Sequence, residues 1–206
     1  MKIFLFVMAA LCGYFVAGLN PAIALSKAIY KKDIRTCGSG NPGFTNFKRT
    51  FGNKWAWWVL VFDLSKAALV VGLFAWLLTL VGVPFQFGAA YTGIFCMIGH
   101  AFPILYKFKG GKGFLVCLSV MYLIDWRVGL IATGIMIVLL LTTKYMSLST
   151  TVAMLLCPIL LIPFRASLPV ILMAAACAIF MAVRHAENFK RLFKGKESKF
   201  SLKSKK

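Results

Sequence analysis

Charged residues in this chain are gathered into short segments, and the stretches between them are apolar for long enough to reach across a bilayer. Residues 3–25, 55–82 and 88–106 are the longest such runs. A helix needs ~20 predominantly apolar residues to cross the hydrocarbon layer. A spanning chain must also satisfy its backbone N–H and C=O groups internally, which restricts it to helices or a closed barrel. Four further apolar runs follow at 114–123, 128–143, 150–164 and 168–183. The first two are short for a straight span. They read as two short spans joined at Asp125–Arg127, with a re-entrant pair as the alternative. Pro158 and Pro163 break the next run, and Asn20-Pro21 is expected to bend the first. That first run has features of a signal peptide, but its removal would leave an even number of spans. The expectation is an all-α, polytopic membrane protein of seven transmembrane helices. Residues 1–197 make one domain and 198–206 a basic tail.

The charge distribution orients this topology. Net charge is +19, and the cations cluster between apolar runs and at the C-terminus. Anionic headgroups and phosphorylated substrates are therefore better partners than nucleic acid. Seven spans put the segments 27–54, 107–112, Lys144 and the tail from Arg184 on one side. Twenty of the 24 Lys and Arg residues lie there, against Lys2, Arg127 and Arg165 on the other side and Lys66 within a span. The positive-inside rule then places the N-terminus outside and the C-terminus in the cytoplasm.

The polar segments on the basic side carry the chemistry. Gly99-His100 runs through Lys107-Phe108-Lys109-Gly110-Gly111-Lys112-Gly113, where three lysines fall within six residues among glycines. Glycine allows positive φ and close approach, and successive N–H groups in such a turn can cradle an anion. A plain lysine-rich cytoplasmic turn would look similar. The segment 27–54 holds Gly38-Ser39-Gly40-Asn41-Pro42-Gly43-Phe44-Thr45-Asn46 flanked by Arg35, Lys48 and Arg49. It reads as a functional loop rather than a linker. Asp63 and Lys66 stand i,i+3 inside the second span, placed to pair either structurally or at a working site. His100 near the end of the third span reads as a local cap or hydrogen-bond partner rather than a ligand. In the tail, His185, Asn188 and Leu192 share a helix face beside Arg184 and Arg191. The plain alternative there is a basic interfacial helix.

Six cysteines show no CxxC pair, so neither zinc nor a disulfide framework is indicated. Acids on the basic side are too few and scattered to hold a metal, which disfavours metal-dependent phosphoryl transfer. No cofactor is implied. A substrate bearing two phosphates, neutralised by protein cations, suits the composition. An already activated acyl donor would need only orientation, charge stabilisation and a proton acceptor.

Gly38 through Asn46 with Arg49, then Gly99-His100 with Phe108 through Gly113, then His185, Asn188, Arg191-Leu192, Gly195 and Glu197 together resemble the three motifs of the bacterial acyl-phosphate:glycerol-3-phosphate acyltransferases, the PlsY type. Val61 through Lys66 and Lys144 through Leu148 also resemble family stretches. The resemblance covers essentially the whole chain. It implies transfer of a fatty acyl group from acyl phosphate to the 1-hydroxyl of sn-glycerol 3-phosphate, giving lysophosphatidic acid and inorganic phosphate. It implies a monomer in the bacterial plasma membrane, without metal and with its site facing the cytoplasm. By resemblance, Ser39, Asn46, Arg49, Ser147, His185 and Asn188 are the catalytic candidates, with Ser39, Asn46 and Asn188 fitting hydrogen bonds to phosphate or glycerol and Arg49 and Lys112 fitting charge neutralisation. Lys109, Gly110, Gly111, Lys112 and Gly113 form the phosphate-binding loop, and Glu197 is structural, as the Asp63–Lys66 pair is expected to be. Phe44 stands where the family usually has a small Ala, so the first loop is expected to pack differently. The base is either His185 or a substrate phosphate, whose second pKa is also near six. Ser39 and Ser147 have no evident base, so an acyl-enzyme is not expected. A His followed five positions later by Asp, the signature of another acyltransferase class, is absent. The main rival is a small transporter of phosphate or phospholipid, which should show an internal repeat. No convincing one is found.

Overall fold

The computed structural model describes residues 1–201, and the rest of the expected basic tail, 202–206, lies outside the described residues. All regular structure among them is helical. The α-helices are α1 Lys2–Gly18, α2 Pro21–Tyr30, α3 Phe44–Phe51, α4 Asn53–Thr79, α5 Phe85–Ala101, α6 Phe114–Ile124, α7 Trp126–Thr143, α8 Met146–Leu160, α9 Leu168–Arg184 and α10 Ala186–Phe193. Short 3₁₀ turns occupy Ile34–Thr36 and Ile104–Tyr106. Four stretches are long and apolar enough to cross a membrane: Lys2–Tyr30, α4, Phe85–Tyr106 and α7. Helices α9 and α10 together make a fifth, bent by 53°. Helices α6 and α8 are apolar but shorter, at 11 and 15 residues.

Helix α6 is short because it is the central post of the bundle. It packs against α4, α5, α7, α8 and α9, and Val116 through Met121 are all buried. Its far end is a sharp corner rather than a loop. Asp125 caps α7 by accepting from the Arg127 N–H at 2.9 Å and pairs with the Arg127 guanidinium at 2.6 Å. Arg127 in turn lies 4.0 Å over the Phe164 ring, joining this corner to the α8–α9 turn.

Two boundaries differ from the sequence expectation. The first polar segment is not all loop, because Phe44–Phe51 forms α3 and only Gly52, at φ 83°, separates it from α4. The stretch 144–149 is not a turn: Lys144 adopts a left-handed conformation, and Ser147 is already in the first turn of α8. The bend expected at Asn20-Pro21 is present: α1 ends at Gly18 and α2 begins at Pro21. The Asn20 side chain accepts from the Ile23 N–H at 3.0 Å to cap α2 and donates to the Pro42 carbonyl at 3.1 Å.

Small residues set the helix spacing. In lipid there is little hydrophobic force between helices, so close backbone packing through Gly and Ala takes over. Helix α1 buries only Ala9, Gly13, Ala17 and Gly18, and it packs on α5. A Cβ on Gly13 would lie 3.1 Å from the Thr92 carbonyl oxygen. At Gly99 on α5 a Cβ would overlap the Tyr14 backbone.

The polar segments converge at one end of the bundle. Arg35 donates to the Tyr106 carbonyl at 2.7 Å, Arg184 to the Gly111 carbonyl at 3.4 Å, and the Phe200 N–H to the Lys144 carbonyl at 2.7 Å. Gly99→Val should therefore lower the apparent melting temperature in detergent, because overpacking of this kind costs about 1–3 kcal/mol. Gly134→Ala, where an added Cβ meets nothing within 4 Å, should leave it unchanged or raise it by up to about 1 kcal/mol equivalent.

Candidate functional site

The first loop is built around Asn46. Its Oδ1 accepts from the Ser39 N–H at 2.9 Å, and its Nδ2 donates to the Cys37 and Ile34 carbonyls at 2.9 and 3.4 Å. Those bonds hold the turn in which Gly38 and Gly40 take φ of 56° and 71°. Both polar atoms of Asn46 are thus committed to the loop itself, whereas sequence reasoning gave Asn46 a substrate hydrogen bond. Asp33 steadies the other end by pairing with Arg35 at 2.7 Å, and the Arg35 guanidinium holds its carboxyl well below the usual range. One turn along α3 from Asn46 stands Arg49, exposed and, among the described residues, in no ion pair.

The second loop departs from the open cradle expected of it. The N–H groups of Gly110 and Gly111 donate to the Ala101 and His100 carbonyls, each at 3.1 Å, so they are spent on the end of α5. Glycine is required at both because a Cβ would overlap the His100 carbonyl at Gly110 and the His100 imidazole at Gly111. Gly113, at φ 88°, turns the chain into α6. Lys109 is exposed. Lys112 and Gly113 line the apolar cavity described below, and Lys112 the polar one as well.

His100 is a hydrogen-bond partner, the second of its two expected roles. Its Nδ1 lies 3.2 Å from Lys66 Nζ and 3.7 Å from Asp63 Oδ1. Lys66 and Asp63 pair at 2.8 Å as their spacing suggested, and Lys66 also donates to the Leu19 carbonyl at 2.7 Å. This buried trio therefore joins α4 and α5 to the end of α1 and backs the glycine loop.

The third segment centres on Glu197. Its Oε1 accepts from Ser147 Oγ at 2.9 Å and Asn188 Nδ2 at 2.6 Å, and its Oε2 from Arg191 Nε at 2.9 Å. Burial would raise this carboxyl, but the bonds from Asn188, Ser147 and Arg191 outweigh it and hold it low. Asn188 Oδ1 accepts from Lys112 Nζ, so the second and third segments meet through that pair. Burial, then the Arg191 charge, lowers the Lys112 ammonium to about 8. His185 sits at the 53° bend between α9 and α10. Its Nδ1 lies 2.9 Å from the Met181 carbonyl. A carbonyl only accepts, so Nδ1 carries the proton and Nε2 keeps the lone pair. Burial lowers its pKa to about 4 against the raising effect of the Met181 bond, so the ring is neutral at pH 7.

Two adjoining cavities result. A polar one of about 90 Å³ is lined by Ser39, Asn46, Arg49, Ser147, His185 and Asn188, together with Lys112, Arg191 and Glu197. All six catalytic candidates from the sequence therefore line one cavity. The second cavity, about 270 Å³, has a mostly apolar lining that includes Leu60, Leu64, Leu115, Leu118 and Met136. Lys112 and His185 belong to both. Sequence reasoning did not single out the apolar lining, because one Leu among many carries no signal. Phe44 contributes to that wall and packs on Trp57 at 5.3 Å, so the residue that departs from the family pattern shapes the apolar chamber. Among the described residues no three His, Cys, Asp or Glu side chains gather as a metal site would.

The family model described as glycerol-3-phosphate acyltransferase matches residues 7–195. Proteins of that name resemble the chain along its length. That of Finegoldia magna is 34% identical, covering 96% of each chain. That of Coxiella burnetii is 32% identical, covering 96% of this chain and 99% of its own. Two solved structures of PlsY, an integral membrane glycerol 3-phosphate acyltransferase, share the fold. Its glycerol 3-phosphate form superposes with a TM-score of 0.83 at 26% identity, covering 97% of this chain and 96% of that one. Its lysophosphatidic acid form does so with a TM-score of 0.84 at 25% identity, covering 95% of each. The chain belongs to the glycerol-3-phosphate acyltransferase family of the PlsY type.

Proposed function

We propose that this protein moves a fatty acyl group from acyl phosphate to the 1-hydroxyl of sn-glycerol 3-phosphate, releasing lysophosphatidic acid and inorganic phosphate. The observation that carries the reading is the junction of the two cavities. A small cationic chamber opens onto an apolar one, and Lys112 and His185 stand where they meet. The acyl chain occupies the apolar chamber and the phosphates the polar one, so the reacting carbonyl lies beside Lys112 and His185.

Transfer is direct. The C1 hydroxyl oxygen attacks the acyl carbon, the bond from that carbon to the phosphate oxygen breaks, and phosphate leaves with the electron pair. Arg49 and Lys112, neither of which has a carboxylate partner among the described residues, neutralise phosphate charge. Asn188 orients Lys112, and Glu197 orients Asn188, Ser147 and Arg191. Ser39 and Ser147 supply hydroxyls for phosphate or glycerol, while Asn46 shapes the loop that presents Ser39. The hydroxyl proton goes either to His185 Nε2 or to a substrate phosphate oxygen. The nucleophile is the substrate's own hydroxyl, so no acyl-enzyme forms. No metal takes part.

On this reading the bundle is a monomer that crosses a bacterial plasma membrane seven times, with its N-terminus outside. The end where the polar segments converge faces the cytoplasm. The concentration of Lys and Arg in those segments supports that orientation.

Purified protein given palmitoyl phosphate and glycerol 3-phosphate with EDTA should form lysophosphatidic acid, and palmitoyl-CoA should not replace the donor. Activity with palmitoyl-CoA alone would overturn the donor. Lys112→Met and Arg49→Ala should each lower kcat/KM on the order of 10²-fold, the usual cost of an electrostatic contact at a reacting centre.

The pH dependence separates the bases. The cationic Lys112 is lost as pH rises through about 8, so kcat/KM should fall above that point, and Lys112→Arg should move the alkaline limb upward. If His185 is the base, the acid limb lies near its value of about 4. If a phosphate is the base, the limb lies near its second pKa of ~6 and survives in His185→Gln.

A further inference from the structure

Residues 198–201 do not lie out on lipid as a basic tail might. They fold back over the cytoplasm-facing end. Ser198 lines the polar cavity directly after Glu197. The Phe200 N–H then donates to the Lys144 carbonyl at 2.7 Å, at the junction of α7 and α8. From the other side, Lys48 on α3 donates to the Ser201 carbonyl at 3.1 Å, with its ammonium 4.8 Å from the centre of the Phe200 ring. The segment thus bridges α3, which carries Asn46 and Arg49, and the start of α8, which carries Ser147. Those helices are opposite walls of the polar cavity.

Lys48 makes the bridge specific. It is only 7% exposed, yet it has no ion-pair partner among the described residues. A buried ammonium needs partners to offset its lost hydration. The partners it has are a carbonyl and an aromatic face, and both belong to the tail. Beneath and beside the tail runs a groove of about 740 Å³ lined by Tyr30, Lys48, Arg49 and Phe200, among others. Thr45, Arg49 and Ser198 line both groove and polar cavity, so the groove is the water-side approach to the site.

We propose that residues 198–201 are a strap that closes the polar cavity against water, with Phe200 and Lys48 as the positioning residues that hold it down. The proposal rests on the acyl-phosphate reading above. An activated donor is open to attack by water as well as by glycerol 3-phosphate. In the side reaction a water oxygen bonds to the acyl carbon and the carbon–oxygen bond to phosphate breaks. A free fatty acid and phosphate result, with the water's proton passing to phosphate or solvent. The strap suppresses that route and retains glycerol 3-phosphate, while the acyl chain in the apolar chamber does not touch it.

The test uses full-length Phe200→Ala, Lys48→Met and Phe200→Trp proteins. Three quantities are read: the ratio of free fatty acid to lysophosphatidic acid formed from palmitoyl phosphate, the separate KM of each substrate, and glycerol 3-phosphate binding by calorimetry. In Phe200→Ala and Lys48→Met the ratio and the glycerol 3-phosphate KM should each rise on the order of fivefold, the scale of one lost cation–π contact. The palmitoyl phosphate KM should hold, and Phe200→Trp, which keeps an aromatic face under the ammonium, should restore wild-type partitioning. An unchanged ratio and unchanged glycerol 3-phosphate KM in both Phe200→Ala and Lys48→Met would overturn the strap. If the wild-type protein forms no lysophosphatidic acid from palmitoyl phosphate, the donor reading fails instead. Calorimetry then decides the strap alone: weaker glycerol 3-phosphate binding in Phe200→Ala supports it, and equal binding overturns it.

Discussion

Glu197 is the interaction on which the polar end of this molecule depends. One carboxylate accepts hydrogen bonds from Ser147 on α8 and from Asn188 and Arg191 on α10. Through Asn188 it fixes Lys112 from the loop ahead of α6. The cationic end has few acids, so mutual repulsion would otherwise drive Lys112 and Arg191 apart and into solvent. A single buried acid, bonded on both oxygens, gathers those groups without cancelling all of their charge. Its removal would leave several donors unsatisfied at once, which costs more than the loss of any one bond.

The position of Lys112 also depends on packing well away from any charge. Helix α6 is surrounded by five other helices, and Lys112 is two residues before its start. The loop leading to it is pressed onto the end of α5, where Gly110 and Gly111 leave room for the His100 carbonyl and imidazole. His100 is in turn braced by Lys66 and Asp63. Arg184 and Arg35 tie down the loop carbonyls from either side. The lysine therefore projects from a rigid support. A flexible lysine would have to lose side-chain freedom each time a substrate bound.

The sequence made the helical class, the order of the apolar segments and the clustering of cations legible, since each is a property of long runs or of counts. It also marked residues from distant segments that share one cavity, though only as a pattern resembling a family. What stayed illegible depends on who bonds to whom. Asn46 looked like a substrate ligand, but its amide is used up by Cys37, Ile34 and Ser39. The glycine-rich loop looked like an anion cradle, but its glycines serve close approach to α5. His100 read as a cap or hydrogen-bond partner, but its partners Asp63 and Lys66, more than thirty residues away, could not be named from the sequence. The helix at 44–51 was hidden among loop-forming residues, since Gly52 cuts it off from the apolar run of α4 and leaves it inside the polar segment 27–54.

The difference between the two cavities accounts for the sparseness of the chemistry around them. Placing Lys112 in a mostly buried setting is costly to the ammonium, and the lowering of its pKa records that cost. Arg49 likewise stands without a carboxylate among the described residues. A dianionic ligand bound beside them would supply a counter-charge to both and offset the desolvation of Lys112. The chamber next to the polar one is mostly apolar, so a ligand with a phosphate at one end and a chain at the other has one favoured orientation. On the proposed acyl-phosphate reading, that orientation brings the acyl–phosphate junction to Lys112 and His185. For an activated donor, register and charge complementarity supply most of what the reaction needs. On that account a site with one neutral imidazole, two serines and a few fixed cations is sufficient.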